Sequence, residues 1–273
     1  VKKLHRTRPF LRAYGLLPHR LLGAATRTLM RASRPRWAVR AAIRWWIRRG
    51  GIDVSQCAEQ SWPTLEAFFL RRLRAGARPL GAGFVSPADG LVVGTGPIEQ
   101  GTILQVKGSP LRLGRVLAAR PEEVAALAGG RYVTIFLTPD GYHRLHMPCD
   151  AEVAEVRWIG GRSFPQNVDA LRVIPRIYER NERAALRCVA GSGAVFWLVL
   201  VGASLIGGIE LAGLQRAAWA RPRGFAWGRR FKKGDELGWF RFGSTVVIAA
   251  PKDMLEGTCD FAGAAVRVGQ RLG

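Results

Sequence analysis

The stretch CVAGSGAVFWLVLVGASLIGGI, Cys188 to Ile209, carries no charge over 22 residues, and its reading decides what kind of protein this is. About 20 apolar residues suffice to cross a bilayer as a helix. Gly191, Gly193, Gly202, Gly207 and Gly208 instead divide the stretch into AVFWLVLV and ASLI. Short apolar runs bounded by glycines read as buried strands joined by turns. From about residue 84 onward the same texture recurs in LVVGTG, TILQV, RYVTIFL, AEVAEVRWI and STVVIAA. Only RPEEVAALAGG interrupts it, with Pro121 and paired glutamates opening a helix and Gly129-Gly130 closing it. The expected fold is α+β: a β-rich, sandwich- or barrel-like body over residues 79–273, preceded by helices over 1–78.

The front of the chain differs in charge as well as in periodicity. Residues 1–50 hold fourteen Lys/Arg and no acid, within a chain whose formal net charge is +22. Such an excess predicts a polyanionic partner surface, either lipid or nucleic acid. SRPRWAVRAAIRWWIRRGG, Ser33 to Gly51, reads as a helix capped by Ser33, with Pro35 in its first turn and a Gly-Gly stop. Arg36, Arg40, Arg44 and Arg48 fall on one stripe, while Trp37, Trp45 and Trp46 fall elsewhere on the cylinder. Indole at headgroup depth and guanidinium on lipid phosphate suit a bilayer interface. The competing reading is a surface helix packed on the core. LLPHRLLGAATRTLMR is a shorter version of the design, and PTLEAFFLRRLR reads as an amphipathic helix capped by Thr64. No secretory leader is read, because arginine or histidine interrupts each apolar run. Cys57, Cys149, Cys188 and Cys259 are scattered, which predicts reduced thiols in a cytosolic compartment rather than a disulfide framework.

Polar residues of the body collect in three places. SPADG puts Asp89 in a turn, DGYHRLHMPCD supplies His143 and His146, and FRFGST supplies Ser244. An acid, a histidine and a serine can serve as orienter, base and nucleophile in acyl transfer. The same types also fit a turn, a strand edge and a strand start. A hydrolase on an external ester is a further option, without a Gly-x-Ser-x-Gly elbow. His143, His146 and Cys149 are three residues apart, but Pro148 disfavours the helix that would align them on a metal, so none is expected.

SPADG, YHRLHMP, NER at Asn181 to Arg183, LVGASLIGGIE and GST together resemble blocks of the phosphatidylserine decarboxylase family of pyruvoyl enzymes, in order and at compatible spacing. The resemblance runs from about Leu16 to the C-terminus, with Phe242 where the family motif has leucine. It implies self-cleavage between Gly243 and Ser244, giving a large chain 1–243 and a small chain 244–273. Ser244 Oγ would attack the Gly243 carbonyl, with His146 as base oriented by Asp89. β-Elimination and hydrolysis would leave a pyruvoyl group on residue 244, so neither pyridoxal phosphate nor metal is expected. His143 is implied in the decarboxylation of phosphatidylserine to phosphatidylethanolamine. Ser163, Phe164 and Asn167, in GRSFPQNVDAL, match a region near the family's headgroup site. The implied partners are phosphatidylserine, anionic membrane lipid and the two fragments as a heterodimer, with room for higher homo-oligomers and no nucleic acid. The implied location is the cytoplasmic face of the cell membrane, as a peripheral protein. The competing class is a non-enzymatic basic protein that coats membrane or nucleic acid.

Overall fold

The computed structural model describes residues 19–105, 109–166, 170–171, 174–202, 208–216, 220, 224–241, 244–256 and 261–272. Three helices come first: α1 (His19–Arg31), α2 (Arg36–Gly50) and α3 (Leu65–Phe69). α2 is entered through Pro35, in extended conformation, so Ser33 lies two residues too early to cap it. Gly51, at φ 59°, ends the helix in the left-handed region that glycine tolerates best. Thr64 caps α3 by accepting the Ala67 N–H at 3.0 Å. α3 stops five residues short of the expected end, because Arg71 turns inward and its guanidinium meets main-chain carbonyls instead of water. Val39 and Ile43 of α2 bury against Phe68 of α3, with Trp46, Ile47 and Trp62 packed around them.

The body is built on β12 (Ser244–Ala250), all seven residues of which are buried. On one side the sheet runs through β8 (Val195–Gly202), β7 (Arg183–Ala190) and β6 (Ala151–Ile159) to β10 (Phe225–Phe231). On the other it runs through β4 (Arg131–Leu137) and β1 (Gly90–Pro97) to β13 (Ala265–Val266). All eight strands pair antiparallel. The uncharged stretch Cys188 to Ile209 therefore contributes β8, which lies beside β12 at the centre of this sheet. ASLI lies outside the described residues. No helix among the described residues is long and apolar enough to cross a membrane.

Alternation along β12 feeds two cores. Val246, Ile248 and Ala250 enter one, while Val247 and Ala249 enter the other. The first is covered by a second sheet of order β5-β11-β9, made of β5 (Arg144–His146), β11 (Glu236–Phe240) and β9 (Ile209–Leu211). Leu145, Leu237, Phe240, Ile209 and Leu211 supply its inner face. The second core is covered by the hairpin β2 (Thr102–Gln105) and β3 (Ser109–Arg112), α4 (Leu113–Leu117) and α6 (Ile177–Arg180), with α5 (Pro121–Ala125) alongside. Burying each Val or Ile of β12 contributes about 1.5–3 kcal/mol.

Candidate active site

Ser244 opens β12 opposite Gly202 of β8 and Leu137 of β4. Strand alternation puts its side chain on the Val246 face, beneath the three-stranded sheet. Its Oγ is buried and has no hydrogen-bond partner among the described residues. Leaving a buried hydroxyl unpaired costs about 1–3 kcal/mol, so an idle one on a central strand calls for a role other than stability. Gly243 and Phe242, on the expected cleavage side, lie outside the described residues, as does Asn167.

His143 stands just before β5. Its carbonyl accepts the Phe240 N–H at 3.0 Å, which joins it to the end of β11, four residues ahead of Ser244. Its Nδ1 lies 3.1 Å from the Gly141 carbonyl. A carbonyl can only accept, so Nδ1 carries the proton and Nε2 presents a bare lone pair. That Nε2 is also buried and without a partner among the described residues. Phe69 covers the ring, with centroids 3.9 Å apart. Burial is the main cause that pushes the His143 pKa down to about 3, so the imidazole is neutral at physiological pH.

The N-terminal helices build this wall. Arg71 Nη2 donates to the carbonyls of Asp140 and Gly141, each at 2.8 Å. Trp46 Nε1 donates to Asp140 Oδ1 at 2.7 Å, and its ring packs against Phe68 and Phe69. Trp46 therefore faces inward, apart from the exposed Trp37 and Trp45, which are 73% and 65% accessible. Arg36, Arg40, Arg44 and Arg48 are exposed along the same helix, as their spacing predicts.

His146 is engaged on both nitrogens. Nδ1 donates to the Gly234 carbonyl at 2.7 Å, and Nε2 takes the Tyr142 hydroxyl at 2.9 Å. Burial lowers its pKa first of all; the Gly234 contact and the charges of Glu236 and Asp89 work against that. The turn carrying Asp89 is close, since the His146 N–H donates to the Pro87 carbonyl at 2.9 Å. The Asp89 carboxylate nevertheless turns to Arg78, 2.5 Å from its Nη2, and to the Val268 N–H at 2.8 Å. No hydrogen bond links Asp89, His146 and Ser244 side chains in this arrangement, although the fold collects all three on the side of the three-stranded sheet.

Phe164 is buried on the opposite core, and Ser163 beside it is half-buried. Asn181 accepts the Phe164 N–H at 2.9 Å and donates to the carbonyls of Phe164 and Gly202 at 2.9 and 3.0 Å. Gln166 also donates to Gly202, at 2.7 Å. Gly202 faces Ser244 across the sheet, so this segment is tied to the head of β12 through one residue. None of Asn181, Gln166, Phe69, Tyr142 and Arg78 is singled out as a site residue by the sequence, although the blocks NER, GRSFPQNVDAL and YHRLHMP contain Asn181, Gln166 and Tyr142. Cys57, Cys149 and Cys188 are free thiols, and Cys259 lies outside the described residues.

Comparison with known proteins shows the family of the chain. The sequence model of the phosphatidylserine decarboxylase family matches residues 65–273. A phosphatidylserine decarboxylase proenzyme of Pseudomonas putida is 34% identical over 282 residues, covering 98% of each chain. The proenzyme of Idiomarina loihiensis is 35% identical over 240 residues and covers 82% of each. That of Brevibacillus brevis is 34% identical, covering 80% of this chain and 81% of its own.

Proposed function

The chain belongs to the phosphatidylserine decarboxylase family, and from that membership we propose that it removes the serine carboxylate of phosphatidylserine, using a pyruvoyl group made from its own Ser244. The observation that carries the proposal is the Ser244 Oγ at the head of the central strand, buried and without a partner among the described residues. A serine placed there fits the precursor of the group. Among the described residues no partner competes for its hydroxyl, and its main chain pairs with strands on both sides.

In the first reaction Ser244 Oγ attacks the Gly243 carbonyl carbon and gives up its proton, and the amide becomes an ester. Elimination then breaks the Cβ–Oγ bond and releases the Gly243 carboxylate. Water replaces the nitrogen of residue 244, releasing ammonia and leaving a ketone. His146 is the proposed base. It is neutral, and the Gly234 carbonyl fixes its tautomer so that Nε2 is the basic atom. Asp89, held by Arg78, supports it through the Pro87 contact and its negative charge rather than by direct hydrogen bonding.

The pyruvoyl group supplies an electron sink for the loss of carbon dioxide. His143 is proposed to handle the proton of that reaction at Nε2. Its ring is buried, and an entering phosphodiester anion would raise the basicity that burial suppresses. The segment bearing Ser163, Phe164 and Asn167 is proposed to meet the headgroup. Residues 1–78 are proposed to dock the enzyme on the anionic cytoplasmic leaflet, with Trp37, Trp45 and the arginine stripe outward. The β-rich body is assigned to 79–273, retained after cleavage as a heterodimer of 1–243 and 244–273. Intact mass spectrometry tests the reading. The active protein should consist of those two fragments, the smaller beginning with a ketone, and Ser244→Ala should stay whole and inactive. An uncut, fully active wild-type chain overturns it.

A further inference from the structure

Two described residues flank the proposed scissile bond most closely: Arg241 before it and Ser244 after it. Ser244 is fixed by the sheet. Arg241 is fixed by a different set of contacts, none of which the cleavage chemistry itself requires. Its N–H donates to the Gly208 carbonyl at 2.9 Å, extending the pairing of Phe240 with Ile209. Its side chain lies across Gly208, where an added Cβ would meet Arg241 Cδ at 2.8 Å, so that position has room only for glycine. The guanidinium then reaches two carboxylates. Nη1 lies 2.6 Å from Glu66 Oε1, and Nε lies 3.2 Å from Glu210 Oε1. All three side chains are largely shielded, at 24%, 16% and 22% exposure. Glu66 also accepts Arg31 Nε of α1 at 3.0 Å, so the network continues from the segment ahead of Ser244 into the N-terminal helices.

We propose that Arg241 is a positioning residue for self-cleavage: Glu66 and Glu210 clamp it so that the peptide entering Ser244 is presented to the serine hydroxyl. The inference rests on the maturation reading above. An intramolecular acyl shift depends on the angle and distance at which the carbonyl meets Oγ, and misplacement by about 1 Å can cost on the order of 100-fold. Only two residues separate the clamp from Ser244, so fixing Arg241 limits how far the peptide between them can move. Arginine suits the task because its planar fork engages two acceptors in fixed directions, which a lysine ammonium does not. Glu66 and Glu210 come from α3 and β9, so one guanidinium ties the helical region and the three-stranded sheet to the same point.

The test follows cleavage of freshly translated full chains over time on gels. Arg241→Met should cleave about 10- to 100-fold more slowly than wild type. Arg241→Lys should recover part of the loss, and the Glu66→Gln, Glu210→Gln pair should reproduce the Arg241→Met rate. Adding Arg241→Met to that pair should slow cleavage no further, because a shared contact is lost only once. Melting of each chain on a Ser244→Ala background checks folding, and Glu210→Gln alone serves if Arg241→Met melts early. Wild-type cleavage rates in Arg241→Met, or additive slowing when the carboxylate pair and Arg241 are changed together, overturn the inference. If the wild-type chain itself never cleaves at residue 244, it is the maturation reading that fails.

Discussion

Replacing Tyr142 by phenylalanine should make self-cleavage faster. His146 Nε2 accepts the Tyr142 hydroxyl at 2.9 Å, while Nδ1 is committed to the Gly234 carbonyl at 2.7 Å. Burial pushes the Tyr142 pKa up, so the phenol stays protonated and remains a donor. Before His146 can take the Ser244 proton, its Nε2 must exchange the tyrosine hydroxyl for the serine hydroxyl. A neutral hydrogen bond of this kind contributes a net of about 0.5–1.5 kcal/mol. Removing the competitor lowers the barrier by that amount, which corresponds to roughly 2- to 13-fold in rate. Phenylalanine keeps the ring that stacks on His146 at 5.7 Å, so the imidazole retains its wall. The assay is the first-order conversion of newly translated precursor at fixed pH, with melting temperature as a control. Slower cleavage would mean that the tyrosine hydroxyl relays the proton. An unchanged rate would refute His146 as base and pass the role to His143, whose Nε2 already stands free.

The two histidines should also separate by mutation: His146→Ala should accumulate precursor, whereas His143→Ala should cleave and then lose about 10²–10⁴-fold in carbon dioxide release per processed site. Acid should weaken the fold through His143. Its folded pKa, pushed to about 3, lies below the unfolded value near 6.5, so its stabilising effect is complete above pH 6.5 and lost as pH falls toward 3. On a Ser244→Ala background this amounts to about 2 kcal/mol between neutral pH and pH 5, and urea titrations should show His143→Gln losing less. Changing Arg36, Arg40, Arg44 and Arg48 together to glutamine should weaken flotation with anionic vesicles, by about 1 kcal/mol for each residue that meets the surface, while cleavage proceeds. Unchanged flotation at low salt would place the docking face elsewhere.

What the sequence made legible was local. The β-branched run after Ser244 read as a buried strand because β12 has protein on both faces, and the arginine period gave α2 because its outer face meets solvent. β7, β10 and β11 were missed for equally physical reasons. RAALRCVA breaks its apolar run with Arg183 and Arg187. β10 is an edge strand with exposed arginines and a register shift between Ala226 and Arg229, so it shows no clean alternation. At the site, the residue types Asp89, His143, His146 and Ser244 were readable, but their partners were not. The bonds Asp89 to Arg78 and His146 to Gly234 span 11 and 88 residues, and such pairs leave no periodic trace.

The same distance effect alters how the helical region should be understood. By charge and composition residues 1–78 read as an attachment to the body, yet Phe69 covers His143, Arg71 holds the Gly141 carbonyl that accepts from His143 Nδ1, and Trp46 of α2 holds Asp140 next to it. On α2, Trp45 faces solvent and its neighbour Trp46 faces the His143 loop. A substrate with two acyl chains stays in the bilayer while its headgroup reacts, so the site must be assembled where protein meets lipid. A helix that presents one indole outward and the next toward the histidine would do this with a single rigid element, since an α2 docked as proposed could not shift against lipid without moving Trp46 against Asp140. On the proposed docking, the surface that meets lipid and the wall of the site would be two faces of one structure, joined by a helix rather than by a linker.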